Sequence, residues 1–148
     1  TTSHGSVFLR VGAALFSAKI PDGQFPPYEQ VIPDVEVYHG LRVNRAAFSD
    51  ATSATAIAAD SKSGVTMTFA PGTIAMKANC STSGDGVDEV DSDGYTATPV
   101  KVGLGANYVV DALRYADAED VQVYVRSELD PVLIIGDNYK AIVMPMRI

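Results

Sequence analysis

One pattern occurs twice in this chain and limits its fold more than any single motif: an extended segment, a helix, then three short strands. In the first pass, Val35, Val37, Tyr38, Leu41 and Val43 supply the extended segment. Residues 46–59, in which alanine is the commonest type, predict a helix, because alanine loses no side-chain entropy on entering one. Strands at 65–69 and 73–78 flank the turn Ala70-Pro71-Gly72, and another falls around 87–90. The second pass starts with a strand near 100–103. A helix at 106–115 then presents Val109, Val110 and Leu113 at helical spacing. Strands follow at 121–125, where Val121, Val123 and Val125 alternate strictly, at 132–135 and at 140–144, the last two joined by an Asp137-Asn138 turn. An internal duplication predicts two similar halves packed together, each with one helix and about four strands. The expected product is an α+β domain over 34–148, with two helices packed on one side of antiparallel sheets.

Residues 1–33 belong to something else. Two strands are expected in 7–20 around Gly12, with Val7, Leu9 and Val11 alternating and Leu15 opening the second run. Pro21-Asp22-Gly23-Gln24-Phe25-Pro26-Pro27-Tyr28 is too dense in turn formers for regular structure, so it reads as a connector between two folded units. An apolar share of 47% with 20% charged residues argues for a globular chain. The single cysteine, Cys80, excludes an internal disulfide framework and favours a reducing compartment, so the Asn79-Cys80-Ser81 sequon is read as chance. No apolar run approaches the roughly 18 residues of a membrane span, and the first residues lack a basic head and apolar stretch. A cytoplasmic protein without membrane contact is expected. The net charge of −7 repels phosphate, so any nucleic-acid contact needs a local basic face.

Catalytic chemistry finds little support. His4 and His39 lack a recognisable serine or aspartate partner, and Cys80 sits between an apolar strand and acid, which would raise its pKa. In the acidic stretch 84–94, a calcium-loop template placed on Glu89, Asp91, Asp93 and Gly94 puts Val100 where the closing glutamate is needed. A solvated polar loop between strands is expected there instead, with no metal and no cofactor. A hydrolase of unknown type remains the enzyme alternative. The tail Ile142-Val143-Met144-Pro145-Met146-Arg147-Ile148 suits binding better than catalysis, since methionine adapts to apolar partners and proline interrupts a ladder. A last core strand that happens to end at Pro145 is the structural alternative.

Three stretches, in this order and spacing, resemble the carboxyl-terminal portion of the bacterial DNA polymerase III beta sliding clamp: 22–33 at the junction, 102–113 at the second helix, and the 143–148 ending. The resemblance covers roughly 7–148. It implies that 34–148 correspond to the family's third domain and 1–33 to the last strands of its second domain plus a connector. It also implies a non-enzymatic processivity factor of DNA replication. In the family, two three-domain subunits close head to tail into a ring that encircles duplex DNA without sequence specificity. Polymerase, clamp-loader and repair proteins insert a short peptide rich in Gln, Leu and Phe into a groove between the second and third domains. Carried over by position, the partner-peptide residues are Pro26, Gln30, Val31, Tyr108, Leu129, Pro131, Ile142, Val143, Met144, Pro145, Met146, Arg147 and Ile148. Apolar anchors in a groove offset the ordering entropy of a short peptide.

The chain also departs from the family. Gln30 stands where the family often has Arg, and Gly105 where it usually has Asn, which removes a cation and an amide from the groove. The upstream part of the second domain and the whole first domain have no counterpart in these 148 residues. The DNA-facing cations implied are Arg45, Lys62 and Arg114, too few for strong salt-sensitive binding. A free-standing clamp-like module that binds partners without encircling DNA is the rival within the same fold.

Overall fold

The structure is a computed structural model that describes residues 2–3, 5–58, 64–80 and 84–147. It divides into two compact units, Thr1–Val31 and Ile32–Ile148.

The first unit is a small antiparallel sheet of β1 (Thr2–Ser3), β2 (Ser6–Val11) and β3 (Ala14–Lys19), in that order. Val11 pairs with Ala14, so the β2–β3 turn has only two residues, and Gly12 supplies the left-handed φ of 60° that it requires. Leu9, Val11, Leu15 and Phe16 are all exposed. No described residue of this unit is buried. A 3₁₀ turn, Tyr28–Val31, ends the unit, with the rings of Phe25 and Tyr28 edge to face at 6.0 Å.

The second unit opens on a turn, not on an extended segment. Val35 and Val37, expected in the extended segment, lie in a 3₁₀ turn (Val35–Val37), because the Asp34 carboxylate accepts the Glu36 N–H (3.1 Å) and caps it. Then follow β4 (His39–Asn44), α1 (Arg45–Ile57), β5 (Val65–Ala70), β6 (Thr73–Cys80) and β7 (Gly84–Asp93). The same succession returns as β8 (Val100–Leu104), α2 (Ala106–Tyr115), β9 (Asp120–Val125), β10 (Val132–Ile135) and β11 (Lys140–Val143). The eight strands form one sheet in the order β11-β10-β9-β4-β7-β6-β5-β8. Each half thus hands its first strand to the other: β4 pairs with β9 along its whole length, and β8 pairs with β5. In the middle of the sheet, β4 and β7 of the first half are joined through only two residue pairs, Arg42↔Asp93 and Val43↔Ser92.

Alternation determines which face of this sheet carries the core. Val65, Met67, Phe69, Ile74, Met76, Val102, Leu104, Val121, Val123 and Val125 are all buried toward the helices. From the helices, Phe48, Ala51, Val109, Ala112 and Leu113 close over them. Thr52 and Thr55, also buried in α1, turn their hydroxyls back to the carbonyls of Phe48 and Ala51 (2.7 and 2.9 Å), so their polar atoms cost little.

The acidic stretch, expected as a strand only around 87–90 and otherwise as a polar loop, is strand as far as Asp93. Residues 84–93 form β7, laddered to β6 from Cys80↔Gly84 to Thr73↔Asp91. Glycine and acid are poor strand formers, but tertiary pairing overrides propensity. Glycine has a steric purpose here: a Cβ on Gly86 would come within 2.6 Å of Ala58 Cβ and 3.1 Å of the Thr55 carbonyl. The strand runs directly under the end of α1, where no side chain fits.

Candidate binding site

Two adjoining clefts open on the second unit. The first, about 510 Å³, lies between α2 and β11 and is lined by Tyr108, Asp111, Ala112, Tyr115, Tyr139, Ala141, Ile142, Val143 and Met144. The second, about 650 Å³, lies between β8 and the tail after β11 and is lined by Lys101, Gly103, Glu128, Leu129, Met144, Pro145, Met146 and Arg147. Met144 lines both and is 61% exposed, so its flexible thioether forms the ridge between them.

The tail is held in place at one residue. After Val143 the ladder ends, since Pro145 has no N–H to give. Met146 then donates its N–H to the Gly103 carbonyl of β8 (2.9 Å), and its side chain lies over Gly64, where a Cβ would collide with Met146 Sδ and the Leu104 carbonyl. Leu129, 71% exposed, stands at the tip of the β9–β10 connection. Arg126 holds that loop by a two-pronged contact to Asp130 (2.8 and 2.9 Å), to which the Ser127 hydroxyl also donates (2.6 Å). Hydrogen bonds from Arg126 and Ser127 keep the Asp130 carboxyl below its usual range, and the same contact raises Arg126. The guanidinium also sits 5.6 Å from the Tyr38 ring centre, and burial pushes the Tyr38 phenol up. Tyr108, 73% exposed, lies against the start of α2, where a Cβ on Gly105 would be 2.8 Å from its ring.

Of the expected groove residues, the structure brings Tyr108, Ile142, Val143 and Met144 to the first cleft and Leu129, Met144, Pro145, Met146 and Arg147 to the second. Val143 is 4% exposed and belongs to the core. Pro131 is half-buried and lines neither cleft. Pro26, Gln30 and Val31 are exposed residues of the first unit, and Ile148 lies outside the described residues. Asp111, Tyr115, Tyr139, Lys101, Gly103 and Glu128 were not anticipated. For the helical ones a signal existed, since Tyr108, Asp111 and Tyr115 recur at i, i+3 and i+7.

The expected DNA-facing cations have partners of their own where the structure describes them. Arg45 donates from Nε to the Ala118 carbonyl (2.9 Å), in the connection to β9, and from Nη1 to that of Leu113 (3.4 Å), in the last turn of α2. Arg114 sits 3.5 Å from Asp111 on the exposed side of α2, and Lys62 lies outside the described residues. No group of three or more His, Cys, Asp or Glu among the described residues is placed to hold a metal. No helix among them is long and apolar enough to cross a membrane.

Residues 29–147 match the family model described as DNA polymerase III beta subunit, C-terminal domain. The chain belongs to that family. Its members are sliding clamps and non-catalytic. This clamp domain is 29% identical over 144 residues to the beta sliding clamp of Pseudomonas putida, covering 93% of this chain and 38% of that one. A crystal structure of the Caulobacter crescentus sliding clamp superposes on 99% of the chain with a TM-score of 0.90 at 27% identity, using 40% of the larger chain. A Bartonella birtlesii clamp solved bound to griselimycin superposes with a TM-score of 0.90 at 26% identity, over 99% of this chain and 40% of that one. The clamp domain and its first unit together therefore span about two fifths of the length of the relatives they match.

Proposed function

We propose that this chain forms the carboxyl-terminal region of a DNA sliding clamp and docks short linear peptides of polymerase and clamp-loader subunits. The observation that carries this reading is the pair of clefts divided by Met144, an apolar ridge flanked by Tyr108 on one side and Leu129 on the other. A short extended peptide gains most from two neighbouring apolar seats on a surface that is already formed, because the receptor then adds little ordering cost of its own. Pro26, Gln30 and Val31 join this reading through sequence correspondence alone. So does the assignment of residues 1–33 to the last strands of a second clamp domain.

Duplex DNA is held in this proposal by encirclement in a complete ring. Direct attraction is small, because Arg45 is engaged by carbonyls and Arg114 shares the exposed side of α2 with the Asp111 carboxylate, whose charge opposes a phosphate. The test is fluorescence anisotropy with a labelled peptide carrying Gln, Leu and Phe anchors, beside a version with those three replaced by alanine. Saturable binding of the first alone is expected, weakened at least about tenfold by Met144→Ala. Equal behaviour of the two peptides would remove the docking function.

A further inference from the structure

The first cleft carries chemistry that an apolar anchor does not need. Tyr108, Asp111, Ala112 and Tyr115 stand at i, i+3, i+4 and i+7 of α2 and so share one helical face. Tyr139, just before β11, adds a third phenol ring. Asp111 is the one charged residue among those lining the cleft. Tyr115 is 66% exposed, so its ring, like that of Tyr108, is not consumed by the core.

Aromatic faces attract a cation through their quadrupole, and a carboxylate between them adds direct charge attraction. The floor of Ala112, Ala141 and Ile142 offers apolar contact to the methylene stem of such a group. An anionic group would meet the Asp111 carboxylate with no lining cation to offset it. The competitor within the chain is Arg114, 3.5 Å from Asp111 with both side chains more than half exposed, a pair that water screens and a better-seated cation can displace.

We propose that the first cleft receives a lysine or arginine side chain of the docked peptide, beside its hydrophobic anchors. This rests on the docking function proposed above and adds to it a preference for a basic flank, set by Asp111, Tyr115 and Tyr139.

Two measurements test it. In the first, peptides with identical anchors carry arginine or its neutral isostere citrulline at successive flanking positions. At one position arginine should bind about 3- to 30-fold tighter, the combined size of an exposed cation–aromatic contact and an exposed ion pair. Asp111→Asn and Tyr115→Ala should each bring that ratio toward one, whereas Asp85→Asn, an acid on β7, should leave it standing. Equal affinities at every position, or a ratio that survives Asp111→Asn, overturn the proposal. In the second, N-acetyl-arginine amide is titrated into the isotope-labelled chain and followed by NMR, with no anchor peptide present. Amide shifts at Tyr108, Asp111 and Tyr115 that vanish in Asp111→Asn are expected, and their absence overturns the cation seat. Retained shifts without anchor-peptide binding would overturn the docking function alone.

Discussion

The two halves of the second unit follow one plan and finish it differently. Counting back from the helix starts, Asn44 corresponds to Gly105 and Arg42 to Gly103. In the first half, Asn44 caps α1 by accepting the Ala47 N–H (3.1 Å), and β4 is laddered to β7 through Arg42↔Asp93 and Val43↔Ser92. In the second, Gly105 offers α2 no side-chain cap, and the matching seam has one backbone bond, Met146 to Gly103. Pro145 falls where the first half has Ser92. The β5–β6 turn is a tight Pro71-Gly72 with Gly72 at φ 85°, while its counterpart between β9 and β10 is a longer loop that thrusts Leu129 outward. A repeat closed on one side is therefore left ajar on the other, and the second cleft occupies the gap.

The largest expected effect separates the two helices' arginines. Arg45→Ala should cost about 2–3 kcal/mol in denaturant unfolding, because it strips charged donors from the Leu113 carbonyl in the last turn of α2 and the Ala118 carbonyl in the connection to β9. Arg114→Ala, which breaks only an exposed pair, should stay within about 0.5 kcal/mol. Similar small costs for both would return Arg45 to the DNA-facing set. A smaller effect is expected at the open seam. Pro145→Ser restores the donor that its counterpart Ser92 gives to the Gly72 carbonyl just before β6, a bond on the β10 side of the tail, and stability should move by less than about 1 kcal/mol because a new hydrogen bond and a looser unfolded chain oppose each other. Affinity for the anchor peptide should nonetheless fall several-fold as the tail is drawn into the β10 ladder and Met144 loses its exposed position; unchanged affinity would show that Pro145 does not set the shape of the clefts. The smallest effect concerns the β9–β10 loop. The Asp130 carboxyl titrates below its usual range, so its contribution is complete above the ordinary carboxylate range and is lost as pH falls through the lowered value. The stability difference between the parent chain and Asp130→Asn should be widest near neutral pH and close in strong acid, and a pH-independent difference would contradict this.

Much of the fold was legible because the core-bearing strands announce themselves. Val121, Val123 and Val125 alternate without interruption, and all three are fully buried. β7 was legible only around 87–90, and not over its full length, because its inward positions include Gly86 and the half-buried Asp88, chosen by the space beneath α1 and not by hydrophobicity. Val35 and Val37 misled for the opposite reason, being apolar residues that a local aspartate cap draws into a turn. At the site, the tail and Tyr108 were readable by resemblance, and the lining role of Tyr139 and Lys101 was not, since it depends on which strands end beside which helix. Arg45 shows the limit most plainly. Its sequence position at a helix start says nothing of the Ala118 carbonyl some seventy residues away that uses it.

The exchange of first strands between the halves has a consequence for how such a chain is made. A ribosome releasing it from the amino end would deliver β4 long before Asp120–Val125, the strand with which it shares its full-length ladder. The first half can assemble β5, β6 and β7 as a local meander, but the ladder along one side of β4 waits for the second half to emerge. Pairing over such sequence separation is slow because the intervening chain must first be gathered. Cutting between the halves would therefore yield two pieces that each expose a sheet edge shaped for the other, and mixing those pieces is the condition under which either would regain its order.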